Sequence, residues 1–238
     1  MFDLNGRVAI ITGAAGNLGQ AVARAFALTG ARRVLVDRAP DRLARLYPEA
    51  AGSGEVLLAG GFDLAKEADA QRLVDTVLQR FQRIDVLVNA VGGFAGGKAL
   101  HEEDLNTWER MFRINLHTAL NSCRAVLPQL LRQGGGRIVN VAARAALAGV
   151  PTLAAYCASK SALVRLSESL AAEVKDRGIT VNCVLPGTID TPQNRRDMPG
   201  ADFSKWVAPE AIADVILFLA SDAARAITGA ALPVYGRS

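Results

Sequence analysis

The chain has 238 residues, 50% of them hydrophobic and only 5% aromatic, with a formal charge of +4. No Pro/Gly/Ser-rich or charge-dense linker divides it, so residues 1–238 read as one domain whose core is built from Ala, Val, Leu and Ile. Scattered basic residues exclude a nucleic-acid footprint, no apolar stretch is long enough for a bilayer, and the unpaired spacing of Cys123, Cys157 and Cys183 excludes a disulfide framework or a metal site.

The segment Met1–Gly6 is short and mixed, unlike a signal peptide, and with three unpaired cysteines it points to a cytoplasmic protein. The apolar run Val8-Ala9-Ile10-Ile11 predicts the first strand. Directly after it stand Thr12-Gly13-Ala14-Ala15-Gly16-Asn17-Leu18-Gly19, leading into a helical pattern from Gln20 to Leu28. Glycines between a strand and a helix let the backbone turn tightly and approach a pyrophosphate, while the helix N-terminus supplies N–H groups and positive potential. Gly13, Gly16, Asn17, Leu18 and Gly19 are therefore expected to bind a dinucleotide.

Asp37 follows the second strand, Arg33-Val34-Leu35-Val36. A carboxylate there accepts from ribose hydroxyls and repels a 2′-phosphate, which favours NAD(H); Arg38 beside it leaves NADP(H) open. Further strands are predicted at Val56-Leu57-Leu58, Asp85 to Val88, Arg137 to Val141, Thr180 to Val184 and near Ala230 to Val234. Between them a helix is expected from about Leu105 to Arg132, kinked or shortened by Pro128, and another from about Leu153 to Lys175. This alternation predicts a single-domain α/β Rossmann fold, a doubly wound parallel sheet with helices on both faces.

Asn89-Ala90-Val91-Gly92 after the fourth strand, Asn115 in the long helix, Tyr156-Cys157-Ala158-Ser159-Lys160, and Pro186-Gly187 with Thr191 complete an ordered set of motifs. Across essentially its whole length the chain resembles the short-chain dehydrogenases/reductases. Residues four apart share a helix face, so Tyr156 and Lys160 can meet at one site. A nearby ammonium is expected to favour the phenolate and lower the Tyr156 pKa. The resemblance implies that Tyr156 donates or accepts the proton, Lys160 holds the nicotinamide ribose, and Asn115 organises a water. It also implies that Asp63 and Leu64 flank the adenine, Asn89 braces the sheet near the cofactor, and Thr191, with Pro186 and Gly187, reaches the nicotinamide. On residue type alone, Asp63 and Thr191 suit helix caps, Leu64 a core aliphatic, Asn89 a turn, and Asn115 a partner for a buried backbone group.

Most members of that family carry a catalytic serine thirteen residues before the tyrosine; here the position is Ala143, with Ala142 and Ala145 beside it. An oxyanion-type donor is worth ~10²–10³ in rate, so a simple carbonyl reductase is expected to be handicapped. One branch, the dihydropteridine reductases, also lacks this serine and acts on an electron-poor conjugated imine. The stretches Gly92 to Gly97, Ala143 to Leu147 and Leu185 to Trp206 resemble that branch, and residues of about 187–207 lie where the family's substrate loop sits. Phe94 and Trp206 thereby become candidates for stacking on a flat heterocycle, and Arg144 either faces an anionic or carbonyl-rich substrate or points to solvent. Phe94 stands where that branch has tryptophan, and Asn115 is retained where it lacks asparagine.

His101 and His117 read as surface or helix residues, Trp108 with Phe112 as packing, and Cys157 as a small helix filler. The leading expectation is an NAD(P)H-dependent reductase of quinonoid dihydropteridine or a similar activated planar molecule. A general alcohol/ketone dehydrogenase and a catalytically silent nucleotide-binding protein are the alternatives. The resemblance further implies a homodimer or homotetramer built on the Leu105 and Leu153 helices, with a small-molecule substrate and neither nucleic acid nor membrane as partner.

Overall fold

A computed structural model describes residues 2–237. Its strands are β1 (Val8–Thr12), β2 (Arg32–Asp37), β3 (Val56–Gly60), β4 (Val86–Asn89), β5 (Gly136–Val141), β6 (Ile179–Pro186) and β7 (Ala231–Val234). They form one parallel seven-stranded sheet in the order β3-β2-β1-β4-β5-β6-β7. β1 and β6 are buried along their whole lengths, as expected of strands covered on both faces.

The helices are α1 (Asn17–Ala27), α2 (Pro40–Leu46), α3 (Glu67–Phe81), α4 (Leu105–Phe112), α5 (Thr118–Gln133), α6 (Ala154–Val174), α7 (Pro192–Asp197) and α8 (Pro209–Ala220). Alternation of side chains along each strand splits the core. Ile11, Leu35 and Val88 pack with α1 and α8, whereas Ile10, Val34 and Leu87 pack with α3, α5 and α6. Strand order reverses between β1 and β4, and a crevice at the carboxyl end of such a switch point is where open α/β sheets bind ligands.

The long helix expected from Leu105 to Arg132 is divided. A π-helical turn, Arg113–His117, separates α4 from α5. Pro128 does not shorten α5, which runs through it to Gln133 and ends on left-handed Gly134. Proline removes the bond to the carbonyl four residues earlier, that of Arg124; both residues are exposed, so water can satisfy that carbonyl. Among the described residues no helix is long and apolar enough to cross a membrane, and Cys123, Cys157 and Cys183 are buried and unbridged.

Candidate active site

β1 delivers the chain into a turn that only glycine can make. Gly13 has φ +67°, and a Cβ there would lie 3.1 Å from the Ala90 backbone; a Cβ on Gly19 would lie 2.1 Å from the Gly13 carbonyl oxygen. Helix α1 is thus seated against the turn, and Gly16, its N-cap, offers no side chain to the first N–H groups. The Tyr47 hydroxyl braces the turn by donating to the Ala14 carbonyl at 2.7 Å, and Thr12 Oγ1 ties it to β4 by accepting from Ala90 N–H at 3.1 Å. Asp37 closes the side: its carboxylate accepts from Ala15 N–H and Ala39 N–H, each at 3.2 Å, while Arg38 is exposed. A close-packed glycine turn, a helix N-terminus without a side-chain cap and a carboxylate at the next strand end fit a dinucleotide.

The other residues expected around the dinucleotide are more committed to the protein itself. Asp63 pairs with Arg113 at 2.6 Å, and Leu64 is buried in the core with its carbonyl accepting from Asn121 at 3.0 Å. Asn89 donates to Asn140 Oδ1 at 2.8 Å, and Asn140 in turn donates to Ser167 Oγ at 2.7 Å, a buried polar chain joining β4, β5 and α6. Gly187, following Pro186, donates to the Val234 carbonyl at 3.1 Å. Thr191 caps α7, accepting from Asn194 N–H at 3.1 Å.

At the carboxyl ends of β4 and β5 the remaining groups converge. Tyr156 and Lys160 lie one turn apart on α6, and Lys160 Nζ, almost fully buried, donates to the Val141 carbonyl at 2.8 Å. Asn115 sits inside the π-helical turn, where the extra residue rotates following side chains by about 100° relative to an uninterrupted helix. Its amide is held in both directions by Gly93, whose N–H donates to Oδ1 at 2.9 Å and whose carbonyl accepts from Nδ2 at 3.1 Å. Asn115 Nδ2 also donates to Ser159 Oγ at 3.0 Å, and Ser159 donates to the Tyr156 carbonyl at 2.8 Å. A Cβ on Gly92 would lie 3.2 Å from both Asn115 Oδ1 and Lys160 Nζ, so the two groups face one point. Read from sequence alone, Ser159 had no role of its own within the YCASK segment.

The electrostatics depart from expectation. Burial, and secondarily the Cys157 thiol, push the Tyr156 phenol up to about 12, and burial lowers the Lys160 ammonium to about 8. Burial, not the ammonium, dominates the phenol, and the ammonium itself donates to a β5 carbonyl. Burial thus favours the neutral form of each group, and a polar molecule brought beside Nζ would strengthen the charged form of Lys160.

Ala143 is buried in extended backbone at the head of the Arg144–Ala146 turn and presents a methyl group. The Arg144 guanidinium is exposed, 5.2 Å from the centre of the Tyr235 ring. Phe94 meets Tyr156 edge-on with ring centres 5.0 Å apart, whereas Trp206 packs on Phe203 at 4.7 Å. Trp108 and Phe112 stack at 6.4 Å but line a surface groove of about 600 Å³ with His117 rather than filling the core.

The model of the short chain dehydrogenase family matches residues 7–201. D-threitol dehydrogenase of Mycolicibacterium smegmatis is 38% identical over 244 residues, covering 99% of this chain and 94% of the relative. 2-(S)-Hydroxypropyl-CoM dehydrogenase 3 of Xanthobacter autotrophicus is 34% identical, covering 98% and 96%. Among solved structures, gluconate 5-dehydrogenase of Burkholderia cenocepacia, in complex with NADP and tartrate, aligns with a TM-score of 0.90 at 30% identity over 99% of this chain and 96% of that one. A 7α-hydroxysteroid dehydrogenase with NADH and a 7-oxo bile acid aligns with a TM-score of 0.86 at 28% identity, covering 98% and 94%. These relatives lend no support to a special likeness to dihydropteridine reductase.

Proposed function

The chain belongs to the short chain dehydrogenase family and is an NAD(P)-dependent oxidoreductase, and from that premise we propose that it interconverts a carbinol and a carbonyl at Tyr156, with NAD(H) as the preferred cofactor. The observation that carries this reading is the convergence of Tyr156, Lys160 and Asn115 at the carboxyl ends of β4 and β5, beside the glycine turn. The bound nicotinamide supplies or accepts the hydride. Tyr156 holds the proton at its Oη and moves it to or from the substrate oxygen; its burial keeps it protonated until a substrate takes the proton. Lys160 holds ribose hydroxyls, and Asn115, fixed by Gly93 and Ser159, orients the polar contacts behind it.

The fit of the glycine turn assigns Gly13, Gly16, Asn17, Leu18 and Gly19 to the pyrophosphate and Asp37 to the adenosine ribose. Asp37→Ala should lower the preference for NADH over NADPH by ~10-fold or more, because the 2′-phosphate is no longer repelled and Arg38 stands next to it. Dissociation constants for both nucleotides check this; an unchanged ratio removes Asp37 from the assignment.

A second reading, favoured by Ala143 and by the aromatic Phe94, is reduction of quinonoid dihydropteridine or a similar activated planar acceptor, which needs a proton but no serine donor. Ala143→Ser separates the two. A ketone enzyme should gain ~10-fold or more in kcat/KM on its ketone when the donor is supplied, whereas pterin turnover should stay within about twofold. Steady-state assays with NADH on both acceptor types read the outcome, and background-level pterin turnover disposes of the second reading. A catalytically silent role has no support from the dehydrogenases named above. We assign the protein to the cytoplasm, on its three unbridged thiols, and to a homodimer or homotetramer, on the exposed Leu105 and the partly buried Trp108–Phe112 stack of α4.

A further inference from the structure

The substrate's body, as distinct from its reacting carbon, has its own imprint on the surface. Among the described residues, the exposed large apolar side chains other than Leu28 and Leu46 all follow the carboxyl ends of β4, β5 and β6: Phe94, Leu100 and Leu105, then Leu147 and Val150, then Met198. Water-facing apolar side chains scattered singly need no explanation, but their concentration on the connections that flank Tyr156 does.

Phe94 is the most informative of them. It is 64% exposed, yet its ring stands edge-on to the Tyr156 ring. The loop that carries it, Gly92 to Gly97, is fastened on both sides. Gly93 is bonded in both directions to Asn115, and Gly97 N–H donates to the Thr152 carbonyl at 2.9 Å. A Cβ on Gly96 would lie 2.1 Å from Leu153 Cδ2, so the loop is pressed against the start of α6. Thr152 itself has φ +65°, a left-handed conformation that a β-branched residue keeps only when its surroundings enforce it. The loop therefore presents Phe94 as a preformed wall rather than as a free flap. Where most of the family carries a polar donor, this chain presents the Ala143 methyl group.

We propose that Phe94 is a specificity-determining residue and that the natural substrate joins its carbonyl or carbinol carbon to a flat, bulky apolar body seated on the Phe94 ring, with Leu147, Val150 and Met198 about the mouth. This rests on the oxidoreductase reading and narrows it: a compact polyol leaves that wall in water, whereas an aryl or fused-ring ketone covers it.

The test compares tetralone with dihydroxyacetone as acceptors for the NADH-loaded enzyme. For the unaltered protein, kcat/KM should favour tetralone. In Phe94→Ala the ratio of the two kcat/KM values should fall ~10–100-fold, carried by the KM for tetralone, because stacking area is lost while the reacting groups are untouched. Phe94→Trp should restore the ratio, and Leu147→Ser should lower it in a chain whose glycine loop is intact. A ratio unchanged within about twofold in both Phe94→Ala and Leu147→Ser, or a preference of the unaltered enzyme for dihydroxyacetone, overturns the assignment of Phe94 and leaves the oxidoreductase reading standing. If NADH binds and neither ketone nor any other carbonyl compound is consumed, the oxidoreductase reading fails, and this assignment fails with it.

Discussion

Tyr156→Phe should reduce kcat by ~10²–10⁴-fold while NADH affinity stays within about threefold, because the change deletes the proton donor and leaves the ring in place. The ring matters independently of its hydroxyl, since it packs edge-on against Phe94 and is held over a helix start that Ser159 and Asn115 fix from below. Loss of activity together with loss of NADH binding would instead mark Tyr156 as a structural support of the crevice. Equilibrium NADH titration beside single-turnover kinetics distinguishes the two outcomes.

Lys160→Met should abolish turnover and yet stabilise the fold. The ammonium is almost fully buried with one backbone acceptor at 2.8 Å, and desolvation lowers it to about 8 from an ordinary value of 10.5. That depression corresponds to about 3 kcal/mol of folding free energy spent on holding a charge in the core. The sign follows from proton counting. Between about 8 and 10.5 the unfolded chain binds more protons at this lysine than the folded chain, so its penalty is fully present below pH 8 and is relieved as pH rises toward 10.5. Tyr156 acts in the opposite direction above pH 10, where the unfolded phenol ionises before the folded one, held at about 12. Denaturant midpoints at pH 7 should therefore rise in Lys160→Met, and the difference from the unaltered protein should shrink between pH 8 and 10. A lower midpoint at pH 7 would show that the ammonium supports the fold instead of straining it.

Such a cost makes sense only if the charge is needed for ligand. Lys160 Nζ donates to the Val141 carbonyl, and burial holds the Tyr156 phenol neutral. On the proposed function, ribose hydroxyls placed beside Nζ would offset the desolvation of the ammonium.

Periodicity and punctuation made much of this architecture readable in advance. The apolar runs at Val8, Val34 and Ile138 became central strands because uniformly buried parallel strands have no polar face to obscure them. Asp37, Tyr156 and Lys160 could be placed because each stands at a fixed offset from a strand end or on one helix face. The π-helical turn at Asn115 was not readable. Its sequence, Arg113 to His117, carries no glycine or proline, and its register shift is enforced by tertiary bonds to Gly93 and Ser159. The same holds for the phenol's pKa. Spacing put an ammonium one turn from Tyr156, but the phenol is raised by burial, which depends on tertiary packing that no local pattern reports. Phe94 was recognisable as an aromatic in a glycine loop, while Trp206, of the same chemical type, packs on Phe203, its neighbour within the segment that follows β6.

The most direct test of the account is isotopic. NADH deuterated at its transferable position should be incubated with the protein and tetralone, and the carbinol product analysed by mass spectrometry. The account predicts deuterium on the carbinol carbon with the unaltered protein and its appearance ~10²–10⁴-fold more slowly with Tyr156→Phe at equal NADH occupancy. Bound NADH that transfers no label to any carbonyl acceptor, or transfer at equal rates by the two proteins, would contradict it.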